Sequence, residues 1–171
     1  MLSKYKFINF KYNLQEIKSM LPDISEISGS QKIYSFKDTD IEKLQKILSC
    51  KHKIFSVLYF HLLSNSKGRI HIDGDIRHLD KHPKLALNIP IHNGDCSTMY
   101  WYNKISDVDT EVFNGPSKGT PTPTLNRNDA LCVAYTKIDK PIIVKICDWH
   151  SISNTSDTKN SEILSIRFYN K

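Results

Sequence analysis

Long apolar runs are absent from this chain. No segment carries enough consecutive apolar residues to cross a bilayer, and no apolar stretch of a secretory signal follows the first residues, Met1 to Lys6. Internal repeats, low-complexity stretches and linkers are also lacking. We therefore expect a cytoplasmic protein that makes no membrane contact and forms a single domain over residues 1–171.

Cysteine is scarce, and its spacing excludes the common thiol sites. The four cysteines, Cys50, Cys96, Cys132 and Cys147, include no Cys-x-x-Cys pair and no Cys/His spacing typical of structural zinc. Thiols stay reduced in the cytoplasm, so disulfides are not expected. We predict that all four are small residues of the core.

Acidic residues are outnumbered by basic ones. The chain has 24 Lys and Arg against 18 Asp and Glu, which gives a formal net charge of +6. The basic residues are scattered along the sequence, which favours a solvated surface over a nucleic-acid footprint. Nucleic acid is therefore a weakly supported partner, and a contiguous basic groove beside the candidate site would be needed to favour it.

Helical periodicity is confined to the first third of the chain. Asn13 to Leu21 has apolar residues at helical spacing and is followed by a proline. Asp38 to Leu48 has one apolar face, and Asp40 is the expected cap. Neither segment carries a chemical motif. We expect residues 1–53 to be a helical support that packs against a sheet.

Short strand patterns follow at regular spacing. Ile54 to Leu63 is nearly all apolar and is typical of a buried strand, with a continuing helix as the alternative. Ser106 to Asp129 holds three prolines and two glycines and is expected to be a long loop, either a flap over a site or a passive excursion. The pattern indicates a mainly β protein with N-terminal helices, a jelly-roll sandwich or barrel. The other predicted strands are Arg69 to Asp73, Leu85 to Ile91, Ser97 to Asn103, Leu131 to Thr136, Pro141 to Cys147 and Glu162 to Tyr169.

One strand carries a pattern that suggests chemistry, Gly68-Arg69-Ile70-His71-Ile72-Asp73-Gly74. Side chains two residues apart on a strand share a face, so His71 and Asp73 project side by side. Two imidazoles and one carboxylate form a facial Fe(II) site with positions left open. His150 is the best candidate for the second imidazole. A His-x-Asp pair also occurs by chance in many chains, so ordinary polar groups at strand ends are an equally good interpretation.

Several further segments follow the pattern of one known family. They are Leu85-Ala86-Leu87-Asn88-Ile89-Pro90-Ile91, Trp101-Tyr102, Asp139-Lys140-Pro141, His150 with Asn154 and Ser156, and Leu164-Ser165-Ile166-Arg167-Phe168. With these residues, and with Ile70 to Gly74, residues 54–171 resemble the Fe(II)/2-oxoglutarate-dependent dioxygenases, most of all their small phage-type members. Residues 1–53, which are predicted to be helical, do not help to identify the family.

The resemblance implies a double-stranded β-helix, which is a cupin-like jelly roll, and an Fe(II)- and 2-oxoglutarate-dependent oxygenase. The expected reaction is hydroxylation of an unknown substrate in the cytoplasm of a cell or of a viral host. The family pattern implies that His71, Asp73 and His150 are the iron ligands. It also implies that Asn88 and Tyr102 line the cavity near the cosubstrate.

The chain departs from the family at one position. Members usually carry an arginine shortly after the distal histidine, which pairs with the far carboxylate of 2-oxoglutarate, but this chain has Lys159-Asn160-Ser161. Arg167 shares the face of Ser161 by period-two counting, and a guanidinium can grip a carboxylate with two hydrogen bonds. Arg167 is therefore the expected cosubstrate anchor, with Lys159 or Lys145 as substitutes. A surface ion pair is the competing interpretation of Arg167.

Other functions stay open on sequence alone. The missing arginine favours a degenerate, non-catalytic β-roll that acts as a binding or structural module. A nucleic-acid-modifying enzyme rests only on the net charge. His78, His82 and His92 lie in predicted loops and are left out of the ligand set. Trp149 precedes His150 and is expected to pack on the opposite face.

Overall fold

The computed structural model describes residues 3–9, 11–23, 31–105, 109–114 and 121–169. Strands dominate this part of the chain. They are β1 (Tyr5–Phe7), β2 (Gln31–Ser35), β3 (Ile54–Leu62), β4 (Ile70–His71), β5 (Leu85–His92), β6 (Ser97–Lys104), β7 (Glu111–Asn114), β8 (Pro121–Leu125), β9 (Ala130–Lys137), β10 (Ile142–Lys145), β11 (His150–Asn154) and β12 (Ser161–Phe168). The helices are α1 (Leu14–Lys18) and α2 (Asp38–Ile47), and short 3-10 turns occupy Ile76–Lys81, Gly94–Cys96 and Arg127–Asp129.

Two antiparallel six-stranded sheets form in the described residues. Sheet A has the order β1-β10-β5-β12-β3-β2, and sheet B has the order β7-β8-β4-β11-β6-β9. Apart from the consecutive pairs β2–β3 and β7–β8, neighbouring strands are not consecutive in sequence, as in a double-stranded β-helix. The predicted mainly β jelly roll is confirmed. The strand assignment of the segment from Ile54 is also confirmed, and the helical alternative is wrong.

The central strand β12 shows how the alternation of side chains builds two cores. Leu164 and Ile166 are fully buried on the face of sheet A that packs against α1 and α2. Ile163 lies on the other face, in a core shared with Met99 and Trp101 of sheet B. Because β12 is buried on both faces, its sequence is almost continuously apolar or small. The inner face of this strand also carries Arg167.

The N-terminal third is less helical than predicted. Strand β1 pairs with β10, and β2 pairs with β3, so this third of the chain extends sheet A at both edges. Helix α1 begins after Asn13, whose side chain accepts hydrogen bonds from two backbone amides of the first turn. The expected cap Asp40 is wrong, because α2 begins at Asp38 and Lys37 occupies the cap position without a side-chain bond. Asp40 lies in the first turn instead.

The predicted long loop is a hairpin in its described part. Strand β7 pairs with β8, and β8 pairs with β4, so these residues extend sheet B beside the His-x-Asp strand. Thr122 and Thr124 alternate with the prolines of β8 and are buried. Pairing with β4 is a long-range effect, which local proline and glycine content does not reveal. Residues 106–108 and 115–120 of the predicted loop lie outside the described part of the chain.

The predicted core role of the cysteines is wrong for Cys132, which is exposed on β9, an edge strand of sheet B. Cys50 is half-buried and packs against the core on the helical side of sheet A, and Cys96 and Cys147 are half-buried. All four thiols are free. Separately, none of the helices found in the described ranges combines the length and the apolar character needed to span a bilayer.

Candidate metal centre

The structure brings His71, Asp73 and His150 together. His71 ends β4 and His150 begins β11, and the two residues face each other as direct partners in sheet B. Asp73 follows two residues after His71, and its amide is held by the carbonyl of Ile146. One ligand atom from each of the three side chains lies within 4.8 Å of the others. Nε2 of His71 is 3.0 Å from Oδ1 of Asp73, and Nε2 of His150 is 3.7 Å from the same oxygen.

Backbone carbonyls fix the orientation of both imidazoles. Nδ1 of His71 lies 3.0 Å from the carbonyl oxygen of Arg69, and Nδ1 of His150 lies 2.9 Å from that of Asp148. A carbonyl oxygen only accepts hydrogen bonds, so each Nδ1 carries the proton and donates it. Both Nε2 atoms therefore face the carboxylate. A histidine that binds a metal through Nε2 usually donates its Nδ1 proton to a group of this kind.

The protonation states of the cluster leave lone pairs on nitrogen and oxygen atoms that could bind a cation. Burial, followed by the neighbouring charge of His71, lowers the pKa of His150 to about 4, so this imidazole is neutral at pH 7. A neutral ring protonated on Nδ1 directs the lone pair of Nε2 at the anionic oxygen of Asp73. The donor set of two nitrogens and one oxygen suits a divalent metal of the iron type. The residues present thus fit such an ion.

The pKa values of His71 and Asp73 shift in the directions expected of an ion pair. Burial alone would lower the pKa of His71, but the hydrogen bond and the charge of Asp73 outweigh it and raise that pKa. Burial would raise the pKa of Asp73, but the charge of Arg167 and the bond from His71 hold it well below its usual range. Asp73 is therefore a carboxylate at any ordinary pH.

Arg167 binds the second oxygen of the same carboxylate. Its Nε donates to Oδ2 of Asp73 at 2.7 Å, and its Nη2 lies 2.5 Å from that oxygen. The competing interpretation as a surface ion pair is wrong, because Arg167 is only 8% exposed. Nη1 is buried without a hydrogen-bond partner among the described residues. Arg167 thus neutralises Asp73 and still offers one donor.

Asn88 lies on the inner face of sheet A, close to Arg167 along the sheet. It is the direct partner of Ser165 on β12, two residues before Arg167. Its Nδ2 is 3.7 Å from the sulfur of Met99, and its Oδ1 is buried without a partner in the described part of the chain. An unpaired buried polar atom costs roughly 1–3 kcal/mol. Two such atoms on neighbouring strands indicate a place where a polar ligand binds.

The structure does not bring Tyr102 to the centre. Trp101 is the partner of His150, so Tyr102 falls on the opposite face of sheet B. There Tyr102 packs with Ile70 and Trp149, and its hydroxyl lies 3.1 Å from Oγ of Ser151. The predicted packing of Trp149 on that face agrees with this cluster.

Neither substitute lysine reaches the cluster. Lys145 lies 3.9 Å from Asp148, and Lys159 is exposed in the turn between β11 and β12. His82 accepts a hydrogen bond from the amide of Asp75. These residues are therefore outside the donor set. The two carbonyls that orient the imidazoles, and the unpaired amide oxygen of Asn88, have no signal in the sequence because they depend on the backbone path.

Comparison with protein-family models and with curated protein sequences gives no match. Among solved structures, HygX from Streptomyces hygroscopicus with nickel and 2-oxoglutarate bound aligns with 97% of this chain and 82% of its own, at TM-score 0.54 and 7% identity. The same protein with iron bound aligns over the same shares, at TM-score 0.52 and 6% identity. Vicilin from Corylus avellana aligns with 84% of this chain at TM-score 0.46 and 9% identity, but this chain spans only 30% of vicilin. At these identities the likeness shows the fold alone.

Proposed function

We propose that this chain is an Fe(II)- and 2-oxoglutarate-dependent oxygenase that hydroxylates a substrate not yet identified. One observation supports the proposal most strongly. His71, Asp73 and His150 lie together, and a backbone carbonyl holds Nδ1 of each imidazole. The fold is shared with HygX, whose structures hold nickel with 2-oxoglutarate, or iron. In this class of enzyme the bound iron and 2-oxoglutarate together activate O₂ to supply the oxidant.

The protein residues hold the donors and exclude water. The carbonyls of Arg69 and Asp148 keep the two imidazoles in the tautomer that offers Nε2. Arg167 holds Oδ2 of Asp73, so that Oδ1 is turned to the histidines. His150 is buried and Asp73 nearly so, which shields the donor atoms from bulk solvent.

We propose that Arg167 and Asn88 together bind the cosubstrate. Nη1 of Arg167 can donate to a carboxylate, and the amide of Asn88 offers a further polar contact on the neighbouring strand. The opposite end of β12 offers no such site. Oγ of Ser161 lies 2.6 Å from Oγ of Ser97, and Ile163 fills the core beside them. The position at which the family usually carries its arginine is thus closed in this fold.

Calorimetry tests the proposed cosubstrate site. 2-Oxoglutarate is titrated into the Mn(II)-loaded protein without O₂, and single-site binding is expected. Asn88→Ala and Arg167→Met should each weaken this binding, and Tyr102→Phe, on the opposite face, is the matched control that should not. With Fe(II) and O₂, slow conversion of 2-oxoglutarate to succinate is also expected. Absence of 2-oxoglutarate binding by the Mn(II)-loaded parent would reject the oxygenase.

One observation favours a second candidate, the non-catalytic module. Two of the three guanidinium nitrogens of Arg167, Nε and Nη2, are directed at Asp73, so the guanidinium already has a partner within the protein. A domain of this kind would bind the metal but no 2-oxoglutarate. The same titration separates the two functions.

A further inference from the structure

Two exposed aromatic rings, one associated with each sheet, have a cation above the ring. The guanidinium carbon of Arg69 is 4.2 Å from the ring centroid of Phe113, and Nζ of Lys53 is 5.3 Å from that of Tyr169. Phe113 is 36% exposed and Tyr169 is 50% exposed. We call these pairs the Phe113 platform and the Tyr169 platform. A ring exposed beside a cation offers both a stacking face and a positive charge.

The Phe113 platform lies on the same face of sheet B as the imidazole of His71. His71 pairs with Thr124 on β8, and Thr124 pairs with Glu111 on β7. Phe113 is two residues beyond Glu111 and therefore shares its face. Two strand spacings separate β7 from β4, which places the platform roughly 10 Å across the sheet from His71.

The Tyr169 platform lies at the end of sheet A that carries Arg167. Tyr169 comes two residues after Arg167, and its amide donates to the carbonyl of Lys53. Because Arg167 contacts Asp73, this end of β12 lies against the metal centre. The two platforms thus belong to different sheets. One is connected to His71 through the strand pairing of sheet B, and the other is connected to Asp73 through Arg167.

A cleft with three basic residues lies beside the Phe113 platform. Lys67, Arg69 and Arg127 line this cleft at the β4 end of sheet B, together with the acidic Glu111. Lys53 is the cation of the Tyr169 platform. The fold therefore places beside each platform cations that are scattered in the sequence.

We propose that the substrate is a single-stranded nucleic acid, which lays a base on each platform and presents the nucleotide between them to the metal centre. This inference rests on the proposed function for the chemistry, but the binding it requires does not depend on a metal. Base faces stack on exposed aromatic rings, and the phosphates are drawn to lysine and arginine. A duplex hides its base faces, so the platforms select the single strand.

The test is binding of a fluorescein-labelled, mixed-sequence single-stranded DNA of about 12 nucleotides to the metal-free full chain at low salt, by fluorescence anisotropy. Phe113→Leu and Tyr169→Leu should each weaken binding roughly tenfold, because each removes one stacking face. Phe7→Leu is the matched control. Phe7 is also 36% exposed under a lysine, with Nζ of Lys140 at 4.4 Å from its ring, but it lies on β1, at the far edge of sheet A from β3 and β2. Its removal should leave binding unchanged.

Several results would overturn the inference. The first is that the parent chain does not bind the DNA, and the second is that Phe7→Leu and Phe113→Leu lose the same amount of affinity. The third is that the duplex binds as tightly as the single strand. The fourth is that heparin or phosphatidylserine vesicles displace the DNA and that Phe113→Leu has no effect on its binding. If a leucine variant fails to fold, Arg69→Gln and Lys53→Gln, both exposed positions, replace it and should weaken binding. A parent that binds DNA but neither Mn(II) nor 2-oxoglutarate would reject the proposed function and leave only the proposed binding of a single strand intact.

Discussion

Asp73 is the residue on which the charges of the site depend. One of its oxygens faces two imidazoles and the other faces Arg167, all within hydrogen-bonding or ion-pair distance. A buried carboxylate without a partner would be strongly destabilising. In the metal-free protein Arg167 supplies the compensating charge, so the site is preformed before any ion binds.

Replacing Arg167 should therefore destabilise the metal-free protein. Arg167→Leu leaves Asp73 uncompensated, and we expect a loss of roughly 3–5 kcal/mol in the free energy of unfolding, measured by urea denaturation. Added Mn(II) should recover part of this loss, because it restores a positive charge beside Asp73. Arg77→Leu breaks the ion pair with Asp75, in which the arginine is 67% exposed, and is the matched control, with a smaller loss expected. Equal effects of the two variants would contradict the role given to Arg167.

The lowered pKa of His150 makes a contribution to stability that depends on pH. Its folded pKa is about 4, below the unfolded value near 6.5, so the unfolded chain binds the extra proton first as pH falls. The contribution is fully present above about pH 6.5 and is lost progressively toward pH 4, by up to about 3 kcal/mol. Metal-free His150→Asn should lack this loss and show a flatter stability curve than the parent between these values. Identical slopes would show that His150 is not held neutral.

At the scale of elements, strands with strong local patterns are predictable and strands that depend on distant partners are not. β3 and β12 are apolar enough to be recognised from sequence alone. β7 and β8 look like a proline-containing loop because their stability comes from pairing with β4. The site divides in the same way. The predicted contact of His71 with Asp73 is present, but the predicted strand from Arg69 to Asp73 is too long, because β4 ends at His71 and Asp73 lies in the bend that follows. The contact of Arg167 with Asp73 requires the packing of the two sheets and has no local signal. The resemblance implies that Tyr102 lines the cavity, but its side chain lies on the face opposite His150, because Trp101 is the residue that pairs with His150 and side chains alternate along a strand.

A substitution at Gly94, in the turn between β5 and β6, tests an element that lies away from the metal centre. A Cβ at Gly94 would overlap both the side chain of Pro90 and the carbonyl of Ile138. Gly94→Ala should therefore lower the free energy of unfolding by roughly 2 kcal/mol in urea denaturation. Asp95→Ala, at the exposed neighbouring position, is the control. Mn(II) affinity should be the same in both variants at low temperature, and a change confined to Gly94→Ala would mean that this turn is coupled to the centre.

At the scale of the whole molecule, the proposed function depends on the packing of the two sheets. Sheet B supplies His71 and His150 from neighbouring strands, and sheet A supplies Arg167 from its central strand. His150 is far from His71 and Asp73 in sequence and becomes their neighbour only when β11 pairs with β4. The proposed metal affinity therefore requires the folded chain and should disappear in urea together with the fold.

Calorimetric titration of Mn(II) into the folded parent and its variants is the most direct test of the metal centre. The parent should bind one ion, and His71→Ala and His150→Ala should each bind at least 100-fold more weakly, because each removes one of three donors. His78→Ala, an exposed histidine near the centre in sequence, is the control and should bind as the parent does. If His71→Ala and His150→Ala bind Mn(II) as tightly as the parent, the three residues are not a metal centre.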